Sequence, residues 1–167
     1  ILISGNLRYE LSADEAARMR GLRFIQLLIA GVDHVPFSIL PDGVPVSAAR
    51  GASAPAMAEH GAALALACSR RLVEEHEKMR AGAFNQFAPG SHVLAGGVCA
   101  ILGFGEAGRR AAPIFRGLGM EIHAINRTGA TEDAVDFIGT LDDLERVLRA
   151  ADVILITLAL TRITEGL

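Results

Sequence analysis

The chain has 167 residues, 51% of them hydrophobic and 21% charged, and its net charge at pH 7 is −3. This composition is typical of a globular protein with one large domain or two small ones. The slight negative charge gives no reason to expect a nucleic acid or an anionic membrane as a partner. Apolar runs in the sequence stay below the roughly 18 residues that a membrane-spanning helix needs.

The first 50 residues alternate between strand-like and helix-like segments. Ser12 and Glu15 have the spacing of a capping box, so a helix is predicted from there to Arg20. Short apolar segments bounded by glycine, proline or polar residues predict strands at 1–4, 22–29 and 44–46. This alternation predicts an α/β arrangement with a parallel sheet.

A long helix is predicted at residues 55–80. Pro55 suits the first turn of a helix, where its missing N–H group costs nothing. The first half of the segment is rich in alanine, which would let another helix approach closely. We therefore expect this helix to pack between domains or subunits, and a loop to follow it at residues 81–95.

The segment VCAILGFGEAG at residues 98–108 carries the most information in the chain. It combines an apolar strand, a G-x-G-x-x-G pattern and the start of a helix that is predicted to reach residue 118. A second strand at 120–125 follows at the distance expected of a βαβ unit that binds a dinucleotide. A glycine pattern that only makes a turn is the alternative.

Each glycine of the pattern has a predicted task. Gly103 allows the tight turn out of the strand, Gly105 lets a pyrophosphate approach the backbone, and Gly108 lets the helix pack closely on the strand. The start of the helix would then present free N–H groups and a partial positive charge to the phosphates.

The end of the second strand indicates which nicotinamide dinucleotide binds. NAD-binding folds carry an acidic residue about 20 residues after the glycines, and it accepts hydrogen bonds from the ribose 2′-hydroxyl. Here Asn126 occupies that place. A 2′-phosphate would meet no carboxylate, while Arg127 offers it a charged fork and Thr128 a hydroxyl. The sequence predicts NADP in preference to NAD, and an arginine that is merely solvated in a loop is the alternative.

The remaining segments complete the pattern and limit the chemistry. A third strand is predicted at 135–138, a helix capped at 140–143 and reaching residue 151, and an apolar fourth strand at 152–158. The five histidines include no pair with the i, i+4 spacing of a helical metal site, so no metal ligands are predicted. Cys68 and Cys99 lie in apolar segments without a C-x-x-C pattern, so we expect buried, reduced thiols in a cytoplasmic protein.

Several separated motifs occur in a characteristic order, at residues 27–34 (LLIAGVDH), 51–60 with the arginines at 70–71, 101–108, and 151–153 with 164–167. Together they closely resemble the D-isomer-specific 2-hydroxyacid dehydrogenases, and within them the glyoxylate/hydroxypyruvate reductase type. The resemblance covers nearly the whole chain.

The resemblance implies an α/β fold in which residues 1–50 form part of a flavodoxin-like substrate domain. Residues 51–167 would form a Rossmann-type dinucleotide-binding domain, a doubly wound parallel sheet that is incomplete here and stops after its fourth strand. The helix at 55–80 would join two subunits in a homodimer. The implied reaction is hydride transfer between NADPH or NADH and a small 2-oxo acid such as glyoxylate or hydroxypyruvate.

The resemblance also assigns ligands to residues. Three consecutive backbone positions would receive the substrate carboxylate: Ala30, Gly31 and Val32. Five positions would contact the cofactor, in order from the pyrophosphate through the adenosine ribose to the adenine: Glu106, Ala107, Asn126, Arg127 and Leu158.

One departure from the family is large. Its catalytic arginine, glutamate and general-acid histidine have no counterpart in this sequence, so no catalytic residue is assigned and we expect an internal fragment of a longer enzyme. A non-catalytic dinucleotide-binding or scaffolding module is the alternative if the natural chain ends at Leu167. A methyltransferase would also use a glycine turn, but the segments at 30–34 and 59–71 argue against it.

Overall fold

The computed structural model describes residues 1–84, 86 and 90–167. They form two compact units, one made of Ile1–Ser53 with Ala159–Leu167 and the other of Ala54–Leu158. The sequence analysis kept the last residues with the second domain, whereas here they group with the first unit. The predicted loop at 81–95 includes residues 85 and 87–89, which lie outside the described residues.

The first unit contains a three-stranded parallel sheet in the order β1-β2-β3, with two short helices. Its elements are β1 (Leu2–Ser4), α1 (Leu7–Glu10), α2 (Ala13–Arg18), β2 (Ile25–Leu27), a 3-10 helix (Phe37–Ile39) and β3 (Val46–Ala48). The predicted capping box is confirmed, because the Ser12 side chain accepts from the Glu15 N–H group and the Glu15 carboxylate accepts from the Ser12 N–H group. β2 is shorter than the strand predicted at 22–29, because only Ile25–Leu27 pair with the neighbouring strands β1 and β3.

The second unit contains a four-stranded parallel sheet in the order β6-β5-β4-β7. Its elements are α3 (Ala54–Ser69), α4 (Leu72–Arg80), β4 (Val98–Leu102), α5 (Glu106–Gly117), β5 (Glu121–Ile125), β6 (Phe137–Gly139), a 3-10 helix (Leu141–Asp143), α6 (Leu144–Ala150) and β7 (Val153–Ile156). The predicted βαβ unit is confirmed, because β4 and β5 pair in parallel with α5 between them in the chain.

Successive residues of β4 pack on opposite faces of this sheet, as the alternation of side chains along a strand requires. Cys99 and Ile101 belong to a core shared with α3 and α5. Ala100 and Leu102 belong to a second core that contains Val147 of α6. The sheet is therefore covered by helices on both faces, and the α/β, Rossmann-type fold class is confirmed.

The small residues of α3 allow it to pack against α5. Ala58 and Ala62 are buried in one cluster with Ala111, Ala112 and Phe115 of α5. These alanines let the two helices approach closely, as predicted. Both helices belong to the second unit, so packing of this segment between domains or subunits stays a prediction.

The single long helix predicted at 55–80 is wrong, because the structure breaks it into α3 and α4. Arg71 adopts a left-handed conformation with φ 53°, which ends one helix and starts the next. The Ser69 carbonyl, which a continuous helix would bond to residue 73, instead accepts from the N–H group of His92 at 2.7 Å. A hydrogen bond from a distant loop thus replaces the helical one.

The expectation of two buried thiols is half right. Cys99 is buried in β4, and burial raises the pKa of its thiol to about 12. Cys68 is exposed near the end of α3, beyond the buried Ala54, Ala58 and Ala62. None of the helices in the described part of the chain combines the length and apolar composition that crossing a bilayer requires.

Candidate functional site

The first glycine of the pattern lies directly after β4 and is tightly enclosed. Gly103 has φ +97°, a conformation that residues with a side chain rarely adopt. Its N–H group and that of Phe104 donate to the Ile125 carbonyl at 2.9 and 2.8 Å, which fixes the turn against the end of β5. A Cβ atom on Gly103 would lie 2.7 Å from the backbone nitrogen of Leu158, so a larger residue does not fit.

The other two glycines differ in the space around them. A Cβ atom on Gly105, the N-cap residue of α5, would meet no atom within 4 Å. A Cβ atom on Gly108 would lie 2.7 Å from the Gly103 carbonyl oxygen and 2.9 Å from Cγ2 of Ile101. Gly108 therefore lets α5 rest on β4, while Gly105 leaves open space beside the backbone. The space that the predicted tasks require is present, and the contact with a pyrophosphate stays a prediction.

The start of α5 is available to an anion. No side chain caps this helix at Gly105. Its first turn holds the exposed Glu106 and the half-buried Ala107, two of the predicted cofactor-binding residues. Backbone N–H groups at an uncapped helix start carry a partial positive charge, and they are suited to a phosphate group.

Thr157 is a residue of this site that the sequence analysis missed. Its hydroxyl donates to the Gly103 carbonyl at 2.6 Å, and its N–H group donates to the Leu102 carbonyl at 2.8 Å. The next residue, Leu158, is half-buried and packs against the core on the α6 side of the sheet. Thr157 carries a hydroxyl at the carboxyl end of β7, the strand that pairs with β4. This position could have identified Thr157 from the sequence if the strand order had been known.

The loop after β5 is closed by the side-chain amide of Asn126. Its Oδ1 atom accepts from the N–H groups of Thr128 and Gly129 at 3.0 and 2.7 Å, and from the Thr128 hydroxyl at 3.2 Å. Its Nδ2 atom donates to the Ala130 carbonyl at 2.8 Å. The residue that replaces the expected acid is therefore bonded to its own loop.

Arg127 extends from this loop into solvent. Arg127 is exposed, and within the described part of the chain it has no ion-pair or hydrogen-bond partner. Arg109, a cation in the first turn of α5, is instead paired with Asp133 at 2.7 Å. Arg127 is thus a cation that remains available for an anionic ligand.

Two ion pairs connect α5 to the segment that follows β5. Besides the Arg109–Asp133 pair, Arg116 contacts Asp136 at 2.8 Å. Asp136 also accepts from the Ile122 N–H group at 2.8 Å, and chiefly this bond, with help from Arg116, holds the pKa of its carboxyl below the usual 3.8. These two ion pairs hold α5 against the segment that follows Arg127.

The three predicted substrate-binding residues lie in the first unit. Ala30, Gly31 and Val32 follow β2 and are all exposed. The backbone leading to them is fixed by two bonds, from the Leu28 N–H group to the Ser4 carbonyl and from the Ala49 N–H group to the Ile29 carbonyl. Their contact with a substrate carboxylate stays a prediction.

The residues at the carboxyl edge of β4 and β5 fit a dinucleotide. The fit rests on the open space at Gly105, the uncapped start of α5 and the guanidinium of Arg127, which is unpaired among the residues that the structure describes. Together they provide a close backbone approach, a partial positive charge and a full one, which are the features that a pyrophosphate and a phosphorylated ribose require.

Residues 62–167 match the family model of the D-isomer specific 2-hydroxyacid dehydrogenase, NAD binding domain. The chain belongs to this family. The matched segment contains the glycine turn, the Asn126 loop and Thr157, so the dinucleotide expected from the geometry is a nicotinamide dinucleotide.

Individual relatives agree with the family. The glyoxylate reductase of Aeropyrum pernix is 30% identical over 165 residues, which are 94% of this chain and 49% of that protein. The hydroxypyruvate reductase of Thermotoga maritima is 27% identical over 157 residues, 93% of this chain and 50% of that protein. A D-isomer specific 2-hydroxyacid dehydrogenase family protein from Aeromonas salmonicida superimposes with a TM-score of 0.81 at 26% identity, over 89% of this chain and 47% of the other. The chain thus spans about half the length of each of these three proteins.

Proposed function

We propose that this chain forms the cofactor-binding part of an enzyme that transfers a hydride between NADPH and a small 2-oxo acid of the glyoxylate or hydroxypyruvate type. The observation that carries the proposal is the open space at Gly105 beside the uncapped start of α5, within a sequence that matches the family. The names of the two curated relatives support the substrate class.

The proposed roles divide the dinucleotide among separate elements. The glycine turn and the first turn of α5 hold the pyrophosphate, Arg127 and Thr128 receive the adenosine ribose, and Leu158 lies on the adenine side. The bound nicotinamide would give or take the hydride. The carboxylate of the 2-oxo acid is received by the backbone at Gly31 and its neighbours, and the acid and base groups of the reaction come from outside this sequence.

The preference for NADP is supported by what surrounds Arg127. The guanidinium is exposed and has no partner among the described residues, and the adjoining position carries Asn126 in place of a carboxylate. A 2′-phosphate would gain a charge-assisted contact there without opposing an acid.

Binding of NADPH and NADH to the wild-type chain and to Arg127→Ala tests this preference. We expect saturable NADPH binding that the substitution weakens about ten- to a hundredfold, the range for one charge-assisted contact, with little change for NADH. Equal losses for both cofactors would contradict the NADP preference. A response to adenosylmethionine instead of NADPH would contradict the proposal itself.

The reaction is tested on the product of the native gene. We expect it to oxidise NADPH in the presence of glyoxylate or hydroxypyruvate, followed by the loss of NADPH absorbance. Tight NADPH binding without turnover on any small 2-oxo acid would favour the non-catalytic binding module.

We also propose that α3 and α4 contribute to a homodimer. Their exposed apolar side chains are Met57, Leu64, Leu66, Leu72, Val73 and Met79. Val73 is 72% exposed although it is a large aliphatic residue, and such groups are more often covered in an assembly. Sedimentation should show a dimer that Leu72→Asp with Val73→Asp converts to a monomer, and an unchanged mass would contradict the dimer interface.

A further inference from the structure

The amide of Asn126 has no capacity left for the role that an acid plays in NAD-binding folds. An amide oxygen has two lone pairs, and Oδ1 of Asn126 already accepts from two backbone N–H groups and one hydroxyl. These two N–H donors, together with the Ala130 carbonyl that accepts from Nδ2, also fix which end of the amide is which. The oxygen therefore cannot accept a hydrogen bond from a ribose hydroxyl without breaking its loop.

The same loop is anchored at its base. The Asn126 N–H group donates to the Gly139 carbonyl at 3.0 Å, which continues the pairing of β5 with β6. Gly129 has φ +64°, and a Cβ atom there would lie 3.1 Å from Cγ2 of Thr140. The loop thus rests on the end of β6 and is closed from inside by one side chain.

Arg127 is the residue enclosed by this closure. It lies between Asn126 and Thr128, whose N–H group is bonded back to the Asn126 side chain. The bond fixes the backbone on both sides of Arg127, and therefore the direction in which its Cα–Cβ bond leaves the loop. Its guanidinium remains unpaired among the described residues.

We propose that Asn126 is a positioning residue for NADP, which closes the loop at residues 126–130 so that Arg127 is aimed at the 2′-phosphate, and whose amide oxygen does not accept a hydrogen bond from the ribose. This inference rests on the proposed preference for NADP. It assigns the discrimination between the two cofactors to a pair of residues, one that holds the loop and one that binds the phosphate.

An aspartate cannot replace Asn126 in this role. It would keep an oxygen for the N–H groups of Thr128 and Gly129, but it would place its second oxygen where Nδ2 now donates to the Ala130 carbonyl at 2.8 Å. Two acceptors at that distance repel each other, so the loop has to open. Asn126→Asp is therefore expected to lose the 2′-phosphate contact without creating the acid–ribose contact of an NAD-binding enzyme.

The test uses two fragments of the cofactor that differ only by the 2′-phosphate. Isothermal titration calorimetry measures the affinity of the full chain for 2′,5′-ADP and for 5′-AMP in the wild type, Asn126→Ala, Arg127→Ala and the double variant. Binding of 5′-AMP serves as the internal control for an intact fold, and Asn126→Asp supplies a second variant at the same position.

We expect the wild type to bind 2′,5′-ADP more tightly than 5′-AMP, and each single substitution to lower that ratio about tenfold or more. The double variant should be no worse than Arg127→Ala, because both substitutions remove the same contact. Asn126→Asp should lower the affinity for 2′,5′-ADP without raising that for 5′-AMP.

Four results would overturn the inference. Asn126→Ala could keep the wild-type ratio of 2′,5′-ADP affinity to 5′-AMP affinity, or the losses of 2′,5′-ADP affinity in the two single variants could multiply in the double variant. Either result would show that Asn126 does not act through Arg127, while the NADP preference itself would stand. A gain in 5′-AMP affinity in Asn126→Asp would show that the side chain reaches the ribose. A wild-type chain that does not distinguish the two fragments would refute the NADP preference and this inference with it.

Discussion

Substituting the glycines of the turn one at a time separates binding from folding. Gly105→Val adds a side chain where a Cβ atom meets nothing within 4 Å, whereas Gly103→Ala adds one methyl group that would lie 2.7 Å from backbone atoms of Thr157 and Leu158. Gly117→Ala is the matched control, because it lies at the end of the same helix and also points into open space. The two substitutions in the glycine turn, Gly105→Val and Gly103→Ala, should have opposite consequences.

The magnitudes follow from these surroundings. Gly103→Ala combines a left-handed backbone, which costs about 1–2 kcal/mol, with overpacking that costs about 1–3 kcal/mol, so we expect a loss of about 2–5 kcal/mol. At this chain length that lowers the melting temperature by roughly 4–20 °C. Gly105→Val should stay within about 1 kcal/mol of the wild type. The proposed pyrophosphate contact would be blocked, and the loss of two charge-assisted bonds at about 1.5–3 kcal/mol each would weaken NADPH binding by roughly a hundredfold or more.

Circular dichroism melts give the stability of each variant, and calorimetric titration gives its NADPH affinity. Gly117→Ala should bind NADPH as the wild type does, and its melting temperature should equal or slightly exceed that of the wild type. The reasoning is refuted if Gly105→Val binds NADPH as the wild type does, or if Gly103→Ala melts at the wild-type temperature.

Two further substitutions test contacts around the turn. Thr157→Val removes the 2.6 Å bond to the Gly103 carbonyl. It should lower the free energy of unfolding in urea by about 1 kcal/mol and also weaken NADPH binding. A loss of stability with unchanged NADPH binding would show that Thr157 supports the fold and not the cofactor site. Asp136→Asn removes a carboxylate whose pKa is held below 3.8, so its contribution to stability is fully present above pH 3.8 and disappears as the pH falls through the lowered pKa. The difference in unfolding midpoint between wild type and Asp136→Asn should therefore be constant near neutral pH and shrink below pH 3.8, and a difference that grows in acid would contradict this account.

The glycine turn could be predicted from sequence because its determinants are local. A strand, the residues Gly103, Gly105 and Gly108, and a helix follow one another directly, and each glycine has the surroundings that its place in the pattern implies. The capping box at Ser12 was predictable for the same reason.

The features that were missed depend on distant residues. At the end of α3 the N–H group of His92 donates to the Ser69 carbonyl. No glycine or proline in the sequence marks the break between α3 and α4. Thr157 reaches Gly103 because β7 pairs with β4, which no local pattern encodes. At Asn126 the residue type was read from the sequence, but the direction of its amide was not, because ribose and loop atoms are both chemically suitable partners.

The position of β7 determines when the cofactor turn can be completed. Residues 103 and 157 are 54 positions apart, although the threonine hydroxyl touches the glycine carbonyl. A chain that leaves the ribosome N-terminus first exposes β4, α5 and β5 well before β7, and closing so long a connection delays its pairing. Until then one edge of β4 carries unsatisfied backbone groups beside apolar side chains, which is the kind of surface that chaperones and other nascent chains bind. We therefore expect NADPH to be able to bind only once residues 157 and 158 have been synthesised, so the nucleotide would report the pairing of β7 with β4 and not the earlier formation of the βαβ unit.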